Sequence, residues 1–430
     1  RGLLIAAGGV EDHKLDRSGG FFGWIDSFVF LYRVDGAGHV VRLAEQNVSE
    51  LGVVTPKAIA LHVDHDRISL MVTGYGGDRA ARITWSENTQ APSQIVTAPV
   101  PPGIAAISEV SGSEFVFANP LLDAWGVMRS DPAQLGVQLV PVKDGAPKRS
   151  AASRVGEALF FTTLMSPNNS ANGAHSRFTC ETCHFEGYVD GRTHFTGRGD
   201  VYATTKPLRG LVNNRPHFSR ALDPDLAAVA MNEFRVANAG GDASEYFDVD
   251  AAKFPWISDL GVAPPEADDD YLRRALVEFL SDFSHAPNPA AFRRGYFGET
   301  ERRGEVVFRD HCETCHEARY ASDDPSTRVA FEKWETAIFA ENDAIVWARA
   351  SYEKTGVVPY VHELGARVPS LRRLAKKRPY FTNGSAPDLA NVLDRARFSG
   401  ESFSHSGGAP DATALSPAEK GELAAFLQLL

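Results

Sequence analysis

All four cysteines of the chain fall in two copies of one pentapeptide, Cys180-Glu-Thr-Cys183-His184 and Cys312-Glu-Thr-Cys315-His316. Two thiols spaced in this way and followed at once by histidine suit covalent attachment of a porphyrin. The thiols add to its vinyl groups and the imidazole takes an axial position on the iron. The pattern implies two covalently attached haem c groups, held by Cys180, Cys183, Cys312 and Cys315, with His184 and His316 as proximal ligands. The same four sulfurs could instead share one zinc. Histidine argues against that: with 13 His in 430 residues, chance would put one after both second cysteines about once in a thousand. Disulfides are the remaining alternative, but a bond closed within Cys-x-x-Cys marks redox-active dithiols rather than structural staples.

The formal charge of -11 disfavours nucleic acid, whose phosphates require a basic face. It would steer a basic redox protein inward, although acidic surfaces also serve solubility alone. No run of eighteen apolar residues is present, so no transmembrane segment is expected. The chain starts at Arg1 without an export leader, and thioether attachment takes place outside the inner membrane. A periplasmic or otherwise exported protein whose signal peptide has been removed is the expectation.

At 430 residues, two or three domains are expected. Residues 1–147 read as all-β: Phe28-Val-Phe-Leu-Tyr-Arg-Val34, Ile68-Ser-Leu-Met-Val72 and Phe115-Val-Phe117 are β-branched or aromatic runs between turn residues. At roughly 40 to 45 residues per propeller blade this length supplies about three blades, fewer than a closed ring needs. Either a partial propeller or a packed sheet domain is expected. From about residue 150 the pattern becomes helical with long loops. Gly156-Glu-Ala-Leu-Phe-Phe161 precedes the first pentapeptide and Arg303-Gly-Glu-Val-Val-Phe308 the second, at what reads as a similar interval, which suggests two duplicated, mainly α haem domains at 148–286 and 287–430. Each ends on an amphipathic helix, one with Leu272, Leu276, Phe279, Leu280 and Phe283 on one face. The other opens on the capping box Ser416-Pro-Ala-Glu419 and buries Leu423, Phe426, Leu427 and Leu430.

Over residues 150 to 430 the chain resembles the bacterial di-haem cytochrome c peroxidase and MauG superfamily. The resemblance rests on the Gly156–Phe161 approach, the two wide-set pentapeptides, Arg367-Val-Pro-Ser-Leu-Arg372, Pro379-Tyr-Phe-Thr-Asn-Gly384 and the terminal Leu-Ser-Pro-Ala-Glu-Lys-Gly-Glu-Leu-Ala-Ala-Phe-Leu run. It implies that the His184 haem meets hydrogen peroxide while the His316 haem relays electrons from a redox protein partner or protein substrate. The family's second iron often carries a distal methionine, but here Met71, Met128, Met165 and Met231 all precede His316. His405, in Phe403-Ser-His-Ser-Gly-Gly408, is the preferred distal candidate, with His362 and Tyr320, Tyr352, Tyr360 or Tyr380 as alternatives. Imidazole or phenolate in place of thioether lowers the potential. That departure points toward MauG-like oxidation of a protein partner, with a small-cytochrome peroxidase or a non-catalytic di-haem carrier as the other readings.

For the first iron His194 is the distal candidate, with His217 and His175 as competitors. Glu233 is the acid-base candidate. The expected Trp-Asp-Gly-Arg element reads Phe218-Ser-Arg-Ala here, leaving Trp256 or Trp347 as replacements for the tryptophan between the haems. The resemblance also allows one calcium ion, although Lys377 and Thr205-Lys-Pro-Leu208 match that pattern poorly.

Overall fold

Strands of alternating character can serve two cores at once, and the first third of the chain is built that way. A three-stranded sheet, β1 (Leu3–Asp12), β2 (Ile25–Val34) and β3 (Val40–Asn47), precedes two four-stranded ones. These are β4 (Pro56–Asp64) to β7 (Gln94–Pro99), through β5 (Arg67–Gly74) and β6 (Arg79–Ser86), and β8 (Ala106–Ser111) to β11 (Leu135–Pro141), through β9 (Glu114–Asn119) and β10 (Ala124–Ser130). Every neighbouring pair is antiparallel. Along β5, Ile68, Leu70 and Val72 join Val29, Leu31 and Trp85 in one core, whereas Met71 joins Phe115, Phe117 and Met128 in another. The two-residue period of a strand makes this possible. β1 lies against β4 and β4 against β8, the succession in which propeller blades follow one another.

The computed structural model describes residues 2–12, 25–86, 90–131, 134–142, 149–165, 179–195, 202–218, 220–237, 254–263, 266–340, 343–358, 362–399, 402–405 and 412–430. They form two compact units: Arg1–Thr182 with Ala230–Phe279, and Cys183–Val229 with Leu280–Leu430. The expected domain at 148–286 is therefore divided. Its flanking helices share a unit with the β-rich region, while the segment from Cys183 to Val229 packs with the C-terminal residues. Among the described residues, no helix is long and apolar enough to cross a membrane.

One helix pair recurs, and a glycine explains it. In the first unit α1 (Ala151–Phe161) meets α4 (Asp269–Asp282) where a Cβ on Gly156 would lie 2.1 Å from the Ala275 carbonyl oxygen. In the second, α5 (Glu299–His311) meets α8 (Pro417–Leu427) where a Cβ on Gly304 would lie 1.9 Å from that of Glu422. The shared Gly-Glu of the two approach segments thus marks a backbone crossing that no larger residue fits. Phe279 and Phe426 are buried beside these crossings, as are the other apolar residues expected on the two faces. The capping box forms as read: the Ser416 hydroxyl accepts from the Glu419 amide and the Glu419 carboxylate from the Ser416 amide. The interval differs from expectation, because 24 residues separate Gly156 from Cys180 and only 8 separate Gly304 from Cys312.

Substituting Gly304→Ala should destabilise the protein by about 1–3 kcal/mol through overpacking. Gly421→Ala, on the same helix pair with open space around its Cβ position, should be neutral or slightly stabilising; thermal unfolding compares the two. Burial raises the Glu305 carboxyl to about 7. Between the ordinary value near 4.5 and this one the folded state keeps a proton that the unfolded chain has released, so stability falls as pH rises across that window. Glu305→Gln should remove this loss, leaving denaturation midpoints at pH 5 and pH 8 closer together than in the parent protein.

Candidate functional site

The second pentapeptide starts where α5 ends. Cys312 is the capping residue, and its carbonyl accepts from the amides of Cys315 and His316, which winds the segment into a tight turn. His316 is buried, and its Nδ1 donates to the Trp347 carbonyl at 3.3 Å. The Pro369 carbonyl is a further backbone acceptor for the ring. A proton fixed on Nδ1 leaves the Nε2 lone pair to face away from the backbone, as a metal ligand requires. Burial lowers the imidazole to about 4, against the opposing pull of the two carbonyls, so the ring is neutral at physiological pH. Trp347 holds its carbonyl in place from the left-handed region, at φ 53°, an uncommon conformation for a bulky residue.

His405 faces this ring, with centroids 6.3 Å apart. Its own amide is fixed on the Thr355 carbonyl at 2.9 Å, and the Phe381 ring lies at 5.7 Å. At this separation the two imidazoles could hold one metal ion between them. Both histidines line a cavity of about 250 Å³, together with Cys312 and apolar residues that include Leu371, Leu393, Leu415 and Leu427. Attachment thiol, oriented imidazole, opposed imidazole and apolar wall together fit a covalently bound porphyrin. Of the alternatives, His362 stacks on Tyr352, with centroids 4.1 Å apart, and Tyr380 donates to the Leu374 carbonyl.

At the first pentapeptide the same anchoring recurs. Cys180–Cys183 forms a one-turn helix, α2, opened by Thr179 and Thr182, whose amides donate to each other's hydroxyl. The Cys180 thiol lies 3.4 Å from the Met165 sulfur. His184 donates from Nδ1 to the Lys206 carbonyl at 2.8 Å, and burial lowers it to about 4. Lys206 and Pro369 occupy equivalent places in a repeat that sequence reading missed. Leu208, Arg209, Leu211, Arg215-Pro216, Phe218 and Asp225-Leu226 recur 163 residues later as Leu371, Arg372, Leu374, Arg378-Pro379, Phe381 and Asp388-Leu389. Phe218 and Phe381 both have φ 66°. His217 bridges Asp223 as Tyr380 bridges Ala386. Asp225 caps α3 (Leu226–Ala237) and Asp388 caps α7 (Leu389–Arg395). The paired Arg-Pro-x-Phe and Asp-Leu dipeptides were the available signal.

His194 lies on a short strand, β12 (Thr193–Phe195), where its Nε2 meets the Asp190 carboxylate at 2.5 Å. Burial raises the Asp190 carboxyl, but the His194 hydrogen bond and charge outweigh it and hold the net value down. The Cys183 sulfur, Asp190 and His194 offer ligand atoms within 4.8 Å of one another. His217 is buried and lines the His316 cavity, with neither ring nitrogen hydrogen-bonded among the described residues. Burial holds it neutral, near 4. Glu233 falls on α3, but its side chain, like all of His175, lies outside the described residues. Trp256 is buried in the first unit and Trp347 in the second.

Each pentapeptide also carries a glutamate with a cationic partner. Glu181 is fully buried and pairs with Lys57 of β4, whose ammonium sits 5.2 Å from both the Tyr75 and Phe161 ring centres. Glu313 receives a bidentate contact from Arg328 at 2.7 and 2.8 Å. The β-rich region therefore supplies the charge that neutralises the first pentapeptide. Neither partner was legible locally, since 124 residues separate Lys57 from Glu181.

Neither a protein-family model nor a curated protein sequence matches this chain. Among solved structures, a chain of hydrazine synthase from Kuenenia stuttgartiensis, pressurised with 20 bar xenon, aligns at 16% identity with a TM-score of 0.38, over 66% of this chain and 89% of that one. Likeness at this level does not establish a shared fold.

Lys57→Met would leave the Glu181 carboxylate buried without its cation, and should cost about 3–5 kcal/mol. Arg328→Met should cost only about 0–1 kcal/mol, because the Arg328 side chain is largely exposed. Urea unfolding distinguishes the two, and Lys57→Met/Glu181→Gln should recover part of the first loss.

Proposed function

We propose that the chain is an exported di-haem c-type oxidoreductase that reduces hydrogen peroxide at the His184 centre and draws electrons through the His316 centre, oxidising a protein partner in the manner of the MauG superfamily. The observation that carries this reading is the pair of imidazoles, each following a Cys-x-x-Cys and each anchored at Nδ1 by a backbone carbonyl. Bound haem supplies the redox chemistry, two electrons and two protons converting one peroxide into two waters. The chain's own groups divide the remaining work.

At the second centre Cys312 and Cys315 would attach the porphyrin, and His316 and His405, facing each other across the cavity, would hold its iron. An iron held on both sides by imidazole would suit electron relay rather than reaction with a small molecule. Two imidazoles give a lower potential than imidazole with thioether, which disfavours a small high-potential cytochrome as donor. At the first centre Cys180 and Cys183 attach the porphyrin and His184 is the proximal ligand. The hydrogen bond between Asp190 and His194 supports a role for that pair in holding and moving a proton, and it is equally compatible with His194 as the distal ligand, since ligating imidazoles commonly lean on a carboxylate. Glu233 remains the acid-base carboxylate of this reading. The β-rich, propeller-like region serves as the platform that neutralises Glu181 and offers a face to the partner.

A pyridine haemochrome assay should return two haems per chain, and electron paramagnetic resonance should show one low-spin and one high-spin centre. His405→Ala should convert the low-spin signal while leaving two haems attached. Fewer than two haems would refute the proposal; two low-spin centres inert to peroxide would reduce the function to electron carriage.

A further inference from the structure

The wall of the His316 cavity carries Lys206, Arg209, Arg367 and Lys377, and no carboxylate among the described residues. Among the described residues, three of these cations hydrogen-bond to neutral oxygens. Lys206 donates to the Thr204 hydroxyl at 2.7 Å and Lys377 to the Ser370 carbonyl at 2.6 Å. Arg367, itself buried, reaches the Val368, Asn214 and Arg215 carbonyls, the Asn214 side chain and the Ser322 hydroxyl. The carboxylates nearby are already engaged, Asp323 by Arg215 and Asp343 by Arg373. Cations gathered out of water without counter-charge are costly. A lysine that uses one of its three donors on a carbonyl keeps two for an anion.

We propose that Lys206, Arg367 and Lys377 bind the two propionate carboxylates of the porphyrin attached at Cys312 and Cys315, an assignment that rests on the haem reading of that pentapeptide. Two carboxylates offset most of the charge of the three cations, and the charge-assisted hydrogen bonds they accept are the strong class. The apolar residues of the same wall take the macrocycle, so one ligand satisfies both halves of the cavity. Lys206 has a second consequence. Its backbone carbonyl orients His184 while the same residue lines the cavity of His316, so a single residue touches both centres.

The test uses the full-length holoprotein and the variants Lys377→Gln, Lys206→Gln, Lys377→Arg and Arg378→Gln. The midpoint potential of the low-spin centre is followed optically at fixed pH, and the propionate bending bands by resonance Raman. Both glutamine variants should lower the midpoint, because a lost cation disfavours the reduced iron, and both should move the propionate bands. Lys377→Arg should stay close to the parent protein. Arg378, exposed beside the cavity segment, should be without effect. Two haems per chain with unmoved midpoint and bands in both glutamine variants would overturn the proposal; if Lys377→Gln does not mature, Lys206→Gln decides alone. A midpoint that shifts with added phosphate while the bands stay fixed would overturn it in favour of a free anion. Fewer than two haems in the parent protein would instead remove the haem reading beneath it.

Discussion

An imidazole offers a metal one nitrogen only when the other is held, and the bonds from His184 to the Lys206 carbonyl and from His316 to the Trp347 carbonyl are the constraint around which both pentapeptides are arranged. Local sequence cannot supply these acceptors, because a turn that has just placed two cysteines has no spare carbonyl pointing back. They come from 22 and 31 residues downstream. The left-handed backbone of Trp347 and the buried aromatic contacts of its indole with Phe308, Trp334 and Phe426 fix one of them. Strain of that kind persists only where the surroundings over-determine it.

The repeated features differ in what they conserve. Helix crossings at Gly156 and Gly304 recur with the same backbone contact, and the segments from Lys206 to Leu226 and from Pro369 to Leu389 recur in the same order. The stretch between crossing glycine and first cysteine does not: it is sixteen residues longer in the first copy. A close crossing and an anchoring carbonyl each tolerate little change, since both are set by distances of a few tenths of an ångström. Loop length costs only loop-closure entropy, which grows slowly. The duplication is thus preserved where geometry is exacting and released where it is cheap.

That contrast also explains what could be read from the residues alone. The two Cys-x-x-Cys-His pentapeptides are contiguous, so they were legible as motifs without any knowledge of the fold. The apolar faces around Phe279 and Phe426 and the Ser416 capping box follow from local periodicity and were legible too. The all-β character of residues 1–147 was visible, though not the sharing of β5 between two cores. His405 was preferred for its place between the Pro379–Gly384 segment and the final helix, and the structure sets its ring 6.3 Å from that of His316. His217, weighed for the first iron, lines the other cavity instead. Lys57 with Glu181, and the cations behind His316, were invisible because charge pairing depends on long-range contacts that leave no spacing in the sequence. For a related reason the compact units could not be read from the residues: α1 and most of α4 join the β-rich unit, while the chain between Cys183 and Val229 belongs to the other.

The second centre, in the proposed reading, sets two effects against each other. Paired imidazoles stabilise the oxidised iron and lower the potential. A wall of lysine and arginine with no carboxylate among its described residues opposes this, because each nearby cation disfavours the more positive iron, and in a low-dielectric site that influence is several-fold stronger than in water. Propionates held between the cations and the macrocycle would moderate the second effect without removing it, since the cations outnumber them. A relay placed between a protein donor and a peroxide-reactive centre needs an intermediate potential, low enough to pass electrons onward and high enough to be refilled. The ligand pair and the charged wall supply these two requirements from different parts of the chain, so either can be tuned by substitution while the other stays fixed.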